Sequence, residues 1–203
     1  MLRATLTLTC AAALVAATAA AAPATAPATA TAVVTRYALD QAKSTLEFTF
    51  TQAGAQNKGH FGRFPVSMDF SADNLAASRL EVSVDVNSLD SGDKDRDDTL
   101  RGADLFSVAK FPQAHFSATQ IVKTAAGFEA SGKLTIRGVA RDTRVPFTFR
   151  TAAEQGATVG YMNGKLTIRR LDFGVGQGDW KATDQVGNDV IVSFALRLTS
   201  ATH

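Results

Sequence analysis

The chain has 203 residues, 45% of them hydrophobic and 20% charged, with 21 basic against 19 acidic side chains and one cysteine. A sequence this apolar and this weakly charged is not that of a disordered protein, and its length supports one domain with a core of its own. It shows no basic run or stripe of the kind that marks a nucleic-acid binder.

The first segment reads as an address. Met1-Leu2-Arg3 is a short positive start, Leu6 to Ala22 is a run of apolar and small residues, and Ala17-Thr18-Ala19 has the A-x-A form. This is the layout of a cleaved secretory signal peptide over residues 1–21. Pro23 disfavours a cut directly before it, so Ala19 to Ala21 is the expected region. A spanning helix needs about 20 strongly apolar residues. The alanine-rich run is weaker than that, and no later run of 18 exists, so a soluble mature protein with no stable membrane insertion is expected. Cys10 lacks the leucine three places earlier that a lipoprotein signal uses (Thr7 stands there), so it leaves with the signal and the mature chain folds without disulfides. Residues 22–35, rich in Ala, Thr and Pro, read as a flexible leader.

From Tyr37 onward, within a domain over residues 36–200, the chain alternates. Leu46, Phe48 and Phe50 point one way and Thr45, Glu47, Thr49 and Thr51 the other; Val66, Met68 and Phe70 repeat the pattern, as do Leu80, Val82, Val84 and Val86. Period two with Val, Thr and Phe enrichment predicts strands with one buried face. Further strands are expected at 114–122, 127–138, 143–150, 157–169 and 189–199, the last with Val190, Val192, Phe194, Leu196 and Leu198 on one side. About eight strands separated by Gly, Asp and Asn turns predict an all-β antiparallel barrel or sandwich. Asp93 to Arg101, acidic at its start and basic at its end, suits a short helix.

Groups that could carry chemistry are weak. Asp93, Asp95, Asp97 and Asp104 resemble part of a calcium loop, but its sixth position is Asp98 instead of Gly and its twelfth is Asp104 instead of Glu. His60, His115 and His203 are scattered, so no metal site is expected. There is no G-x-S-x-G elbow and no carboxylate pair in an apolar setting, so no catalytic residues and no enzyme are expected. The run Gly174 to Gly178 has its third glycine misplaced for a dinucleotide fingerprint and reads as a turn. Thirteen Phe against one Trp and two Tyr suit a hydrocarbon interior. Composition leaves open whether they fill the barrel or line a hollow, since eight strands have room for either.

Nine strings stand in order: Tyr37-Ala38-Leu39-Asp40 with Ser44-Thr45-Leu46-Glu47-Phe48; Gly62-Arg63-Phe64; Val86-Asn87-Ser88-Leu89-Asp90-Ser91-Gly92; Arg96-Asp97 with Leu100-Arg101; Asp104-Leu105-Phe106; Phe111-Pro112 with Phe116-Ser117-Ala118-Thr119; Gly132 to Val139 (GKLTIRGV); Arg170 to Val175 (RLDFGV); and Val186 to Val190 (VGNDV). In that order and spacing the chain, over about residues 37 to 199, resembles the YceI-like family of secreted, lipocalin-like polyisoprenoid-binding proteins. The resemblance implies an extended eight-stranded antiparallel lipocalin-like barrel with a short inserted helix. It also implies an interior that holds a long isoprenoid chain, such as that of a quinone or polyprenyl lipid, with no cofactor and no catalytic reaction. Some members of the family are homodimers.

With that resemblance in view, strand parity nominates Phe48, Phe50, Phe64, Phe70, Phe116, Leu134, Phe147 and Phe149 as lining residues. Leu105, Phe106 and Phe111 would close one end, and Asp97 and Arg101 are polar candidates at the mouth. The plainer reading of those two is an ion pair four residues apart on one helix. Trp180, at the end of the glycine loop, is either a lid or a packed side chain. The expected function is that of a periplasmic carrier for an isoprenoid lipid, with secretion beyond the periplasm as the other destination. The rival is a ligand-free envelope stress or protein-interaction module with a closed barrel.

Overall fold

The computed structural model describes residues 34–200; the expected signal peptide with Cys10, the expected leader as far as Val33, and His203 lie outside the described residues. The strands are β1 (Thr35–Leu39), β2 (Thr45–Gln52), β3 (Ala55–Phe61), β4 (Val66–Phe70), β5 (Arg79–Asp85) and β6 (Leu89–Asp90). After helix α1 (Lys94–Arg101) come β7 (Gln113–Thr124), β8 (Gly127–Ile136), β9 (Val139–Glu154), β10 (Ala157–Arg169) and β11 (Val186–Ser200). Eight of them run β1-β4-β5-β7-β8-β9-β10-β11, all antiparallel, and β11 returns to β1 to close the ring. The eight-stranded antiparallel barrel with one short helix is therefore what the chain forms.

Three details depart from the sequence reading. Thr35, placed in the leader by its composition, is the first residue of β1 and pairs with Phe70. The polar segment Ala55–Phe61 is a strand, with Gly59 seated under the ring of Phe48 where a side chain would collide. It pairs with both β2 and the two-residue β6. Strand β11 is shared end to end: Val190–Ala195 pair with β2, while Leu198–Ser200 pair with β1. One end of the barrel is thus bounded by β1 and β4, the other by β2 and β3. Two-residue turns at Ala53-Gly54, Arg137-Gly138 and Gln155-Gly156 take positive φ at both positions, as hairpins matched to strand twist require.

Helix α1 is short and locally specified. The Asp93 side chain accepts from the Arg96 N–H at 3.0 Å, Asp95 and Asp97 lie in the first turn and Arg101 in the last. These choices satisfy the open N–H groups and suit the helix dipole.

The wall is not continuous. The ladder between β9 and β10 runs from Glu154–Ala157 to Phe147–Gly164 and stops there. Beyond that point Val139–Pro146 pair only with β8, and Lys165–Arg169 only with β11. Pro146 is the local cause. A Cβ on Gly164 would stand 2.5 Å from the Pro146 carbonyl oxygen, so Pro146 turns its backbone toward β10, and it has no N–H to give.

Candidate functional site

The inward faces divide the interior in two. At the β1–β4 end, Tyr37, Phe64, Met68, Phe70, Phe147 and Met162 pack into a solid core. The Phe70 ring lies 4.5 Å from Phe149, 5.1 Å from Phe128 and 6.3 Å from Phe147, while Tyr37 meets Phe149 edge-on at 5.4 Å. Such contacts add to the burial of large apolar area. At the β2–β3 end, next to α1, the interior is hollow. The cavity measures about 490 Å³, within the range of pockets that take small molecules. Its wall is apolar, with Val82, Val84, Leu166, Ile168, Val190 and Val192 from the strands, and Gln52, Asp93, Arg96 and Thr99 at the α1 end.

Of the thirteen nominated residues, six stand in this wall: Phe48, Phe50, Leu105, Phe106, Phe116 and Leu134. The structure does not bring the other seven to it. Phe64, Phe70, Phe147 and Phe149 belong to the solid end, where the opposing walls meet ring against ring. Phe111 packs beneath the β8–β9 turn, with the Arg137 guanidinium 6.0 Å from its ring centre. Asp97 is buried and accepts from the Ser91 N–H (2.9 Å) and hydroxyl (2.7 Å). Arg101 donates to the carbonyls of Leu89 (2.6 Å) and Asn87 (3.3 Å) and pairs with Asp98, so the Asp97–Arg101 ion pair is not formed. Both residues hold α1 to the segment before it.

Sequence reasoning missed Arg170, a buried cation. All five of its N–H groups donate to backbone carbonyls: Nε to Gly187, Nη1 to Val175 and Trp180, Nη2 to Ala182 and Val186, at 2.7–3.1 Å. No carboxylate joins them, and burial pushes the guanidinium below its ordinary pKa. This one side chain holds the glycine loop and the start of β11 over the end of the cavity and brings Trp180 into its wall. Its donors are fully used, so it is a clamp and has none left for a ligand.

Two other arrangements bring polar groups together. Ser83 Oγ lies 3.1 Å from His115 Nδ1, and His115 Nε2 lies 2.9 Å from Glu81 Oε2, the order hydroxyl–imidazole–carboxylate. The group sits half-exposed on the outer face of regular strands, and the Ser83 N–H is engaged by the Pro65 carbonyl. It therefore lacks the free donors that acyl transfer needs beside the nucleophile. A depression of about 580 Å³ outside β2, β3 and β6 carries Glu47, Lys58, His60 and Asp90, which makes it polar and no hydrocarbon site. Among the described residues no three His, Cys, Asp or Glu stand together as metal ligands.

A closed antiparallel barrel with a single inserted helix and an apolar hollow at one end is of the lipocalin-like class. The YceI-like domain model matches residues 37–198, and the chain belongs to that family. It is 35% identical to BcnA of Burkholderia cenocepacia, with a TM-score of 0.72 over 81% of this chain and 99% of that one. A YCEI protein of Campylobacter jejuni shares the fold at 21% identity and TM-score 0.66, covering 73% of this chain and 87% of its own. A polyisoprenoid binding domain from Saccharophagus degradans, implicated in plant cell wall breakdown, shares it at 19% identity and TM-score 0.58, over 81% and 98%. A UPF0312 protein of Yersinia pestis is 40% identical over 83 residues, 41% of this chain and 43% of its own length, so the match spans less than half of that relative.

Proposed function

We propose that the protein is an exported carrier for a long-chain isoprenoid lipid, of quinone or polyprenyl type, acting in the periplasm. The observation that carries the reading is the apolar cavity of about 490 Å³ at one end of the barrel. The Saccharophagus domain of the same fold, described as polyisoprenoid binding, supports it. Burial of each methylene-sized group stabilises by about 0.8 kcal/mol. A chain of several isoprene units thus offsets an association cost of about 4–15 kcal/mol without a strong polar contact. The reading calls for no cofactor and no reaction. No helix among the described residues is long and apolar enough to cross a membrane.

The test is native mass spectrometry of the protein from an exporting host, followed by organic extraction. An added mass that extracts as an isoprenoid is expected, and its absence from an Ala114→Trp variant, in which an indole occupies the cavity wall, assigns it to the hollow. The same spectrum reads whether the protein is a homodimer. Failure of the unliganded protein to take up added isoprenoid quinone would favour the second reading, a closed interaction module, for which the solid end of the barrel is the motivating observation.

A further inference from the structure

The outer faces of β2, β3 and β6 bring polar side chains together around the depression of about 580 Å³. Glu47 stands directly opposite His60, and His60 directly opposite Asp90, so the three form one row across three strands. Lys58 lies two residues before His60 on the same face of β3, which makes it the diagonal neighbour of Glu47. Two carboxylates, an imidazole and an ammonium therefore share one depression, and none of the four lines the apolar hollow.

What marks this group is that it is left open. Elsewhere on the barrel, opposite charges that face each other across neighbouring strands close on one another: Arg36 meets Asp69 at 2.9 Å and Lys133 meets Asp142 at 2.8 Å. Among the described residues, Glu47, Lys58 and His60 have no hydrogen-bond or ion-pair partner. Asp90 accepts the Gly92 N–H at 2.7 Å through one oxygen and keeps the other. The neutral groups around them are committed. Gln41 Oε1 accepts from the Phe64 N–H, the Ser44 hydroxyl donates to the Asp40 carbonyl and accepts from the Arg197 N–H, and the Ser91 hydroxyl donates to Asp97. The capacity that remains is mostly charged and of both signs.

Free charges of both signs at one site suit a ligand that carries both, since each of its ends then makes a charge-assisted bond. The spacing sets its length. Diagonal cross-strand neighbours stand about 7–8 Å apart, and two residues of extended chain cover about 7 Å. The ammonium and carboxylate of a dipeptide are thus separated on the scale of Glu47 and Lys58. A single amino acid carries both charges on one carbon and spans about half of that distance.

We infer that this depression is a second binding site, outside the barrel, for a short peptide in its dipolar form, with Glu47 and Asp90 on the ammonium and Lys58 on the carboxylate. It uses no residue of the hollow and stands independently of the hydrocarbon reading.

The probe is L-alanyl-L-alanine, followed through the amide NMR signals of residues 58–62 and 90–92, which border the depression. The acetylated dipeptide, which lacks the ammonium, and the amidated one, which lacks the carboxylate, are its comparisons. The free dipeptide should bind about 3- to 10-fold more tightly than either, between the range of an exposed ion pair and that of a charged hydrogen bond. Glu47→Gln should weaken the free and amidated dipeptides and leave the acetylated one unchanged. Lys58→Gln should weaken the free and acetylated dipeptides and leave the amidated one unchanged. Both side chains are exposed, so both variants should keep the parent's spectrum. Equal binding of all three dipeptides by the parent overturns the site, as does equal loss of all three in either variant. Binding of the free dipeptide that neither variant weakens overturns it too, and so does the lack of any shift in these signals at tens of millimolar.

Discussion

The two ends of the barrel are made by the same strands, several of which run through both, yet one is solid and the other hollow. The difference lies in which side chains face inward at each height. At the solid end the inner rows carry Phe70, Phe147, Phe149 and Met162, long enough to meet across the interior. At the hollow end the rows carry Val82, Val84, Val190 and Val192, whose short branches cannot span it. The aromatic residues there stack along the wall, Phe48 against Phe61 at 5.2 Å and beside Phe50 at 6.0 Å. The hollow end is held instead by apolar clusters within its wall, Phe48, Phe50, Val86, Leu89 and Val186 in one and Leu105, Ile136, Phe173 and Val175 in another, and by hydrogen bonds, above all from Arg170. A barrel can hold a cavity when a packed half carries most of the stability.

The sharpest way to break this division is at the solid end. Phe70→Ala removes a ring that is 4% exposed and touches three others, and it should cost about 3–5 kcal/mol in urea denaturation. Arg170→Lys should come next. An ammonium has three donors for five carbonyls, so at least two are left unpaired, a cost of about 3 kcal/mol. It should also release the Trp180 loop, visible as a red shift in fluorescence. Leu134→Ala, in the cavity wall, should cost about 1 kcal/mol, below the range for a fully packed leucine, because one side of it already faces empty space. If Leu134→Ala proves as costly as Phe70→Ala, the hollow is not hollow in solution.

A smaller effect depends on pH. Glu154, at the solid end, accepts from the Tyr161 hydroxyl and pairs with Arg197 at 2.7 Å, and these partners hold its carboxyl below the ordinary value. A depressed folded-state pKa stabilises the fold above the unfolded carboxylate value of about 4.3, and that share is lost as pH falls through the folded value. Thermal melts should therefore fall less steeply between pH 5 and 3 for Glu154→Gln than for the parent, with the difference shrinking in high salt.

Alternation in the sequence located the inner faces and the strands that carry them, and the caps located α1. It could not say how far along the barrel axis an inward residue sits. Phe147 and Phe116 alternate alike and both belong to the core, but Phe147 is opposite Phe128 and Phe116 opposite Leu134, and of the two only Phe116 also lines the cavity. Register is set by strand pairing over long range, so a nomination made by residue type mixed the two ends. The valines at 82, 84, 190 and 192 were on the expected inner rows and went unchosen because Phe was the criterion. Arg170 stands one residue past β10 and continues the parity of Leu166 and Ile168, so a signal was present. A cation there is unexpected until the five carbonyls it holds are seen. The split at Pro146 had a signal as well, a proline inside a long strand, which marks a ladder edge.

The double pairing of β11 has a kinetic corollary. This strand, the last of those described, holds β10 along its length and closes on both β2 and β1, joining Leu198 to Leu39 and Ser200 to Tyr37. Sequence separations of that size make barrel closure a late event, reached only after the long loop between the first and last strands has been drawn together. Until β11 arrives, β1, β2 and β10 each keep an unsatisfied edge, so the chain stays open and loosely ordered as it is made. Such a delay lengthens the time for which the chain is threadable, with its closing strand still free.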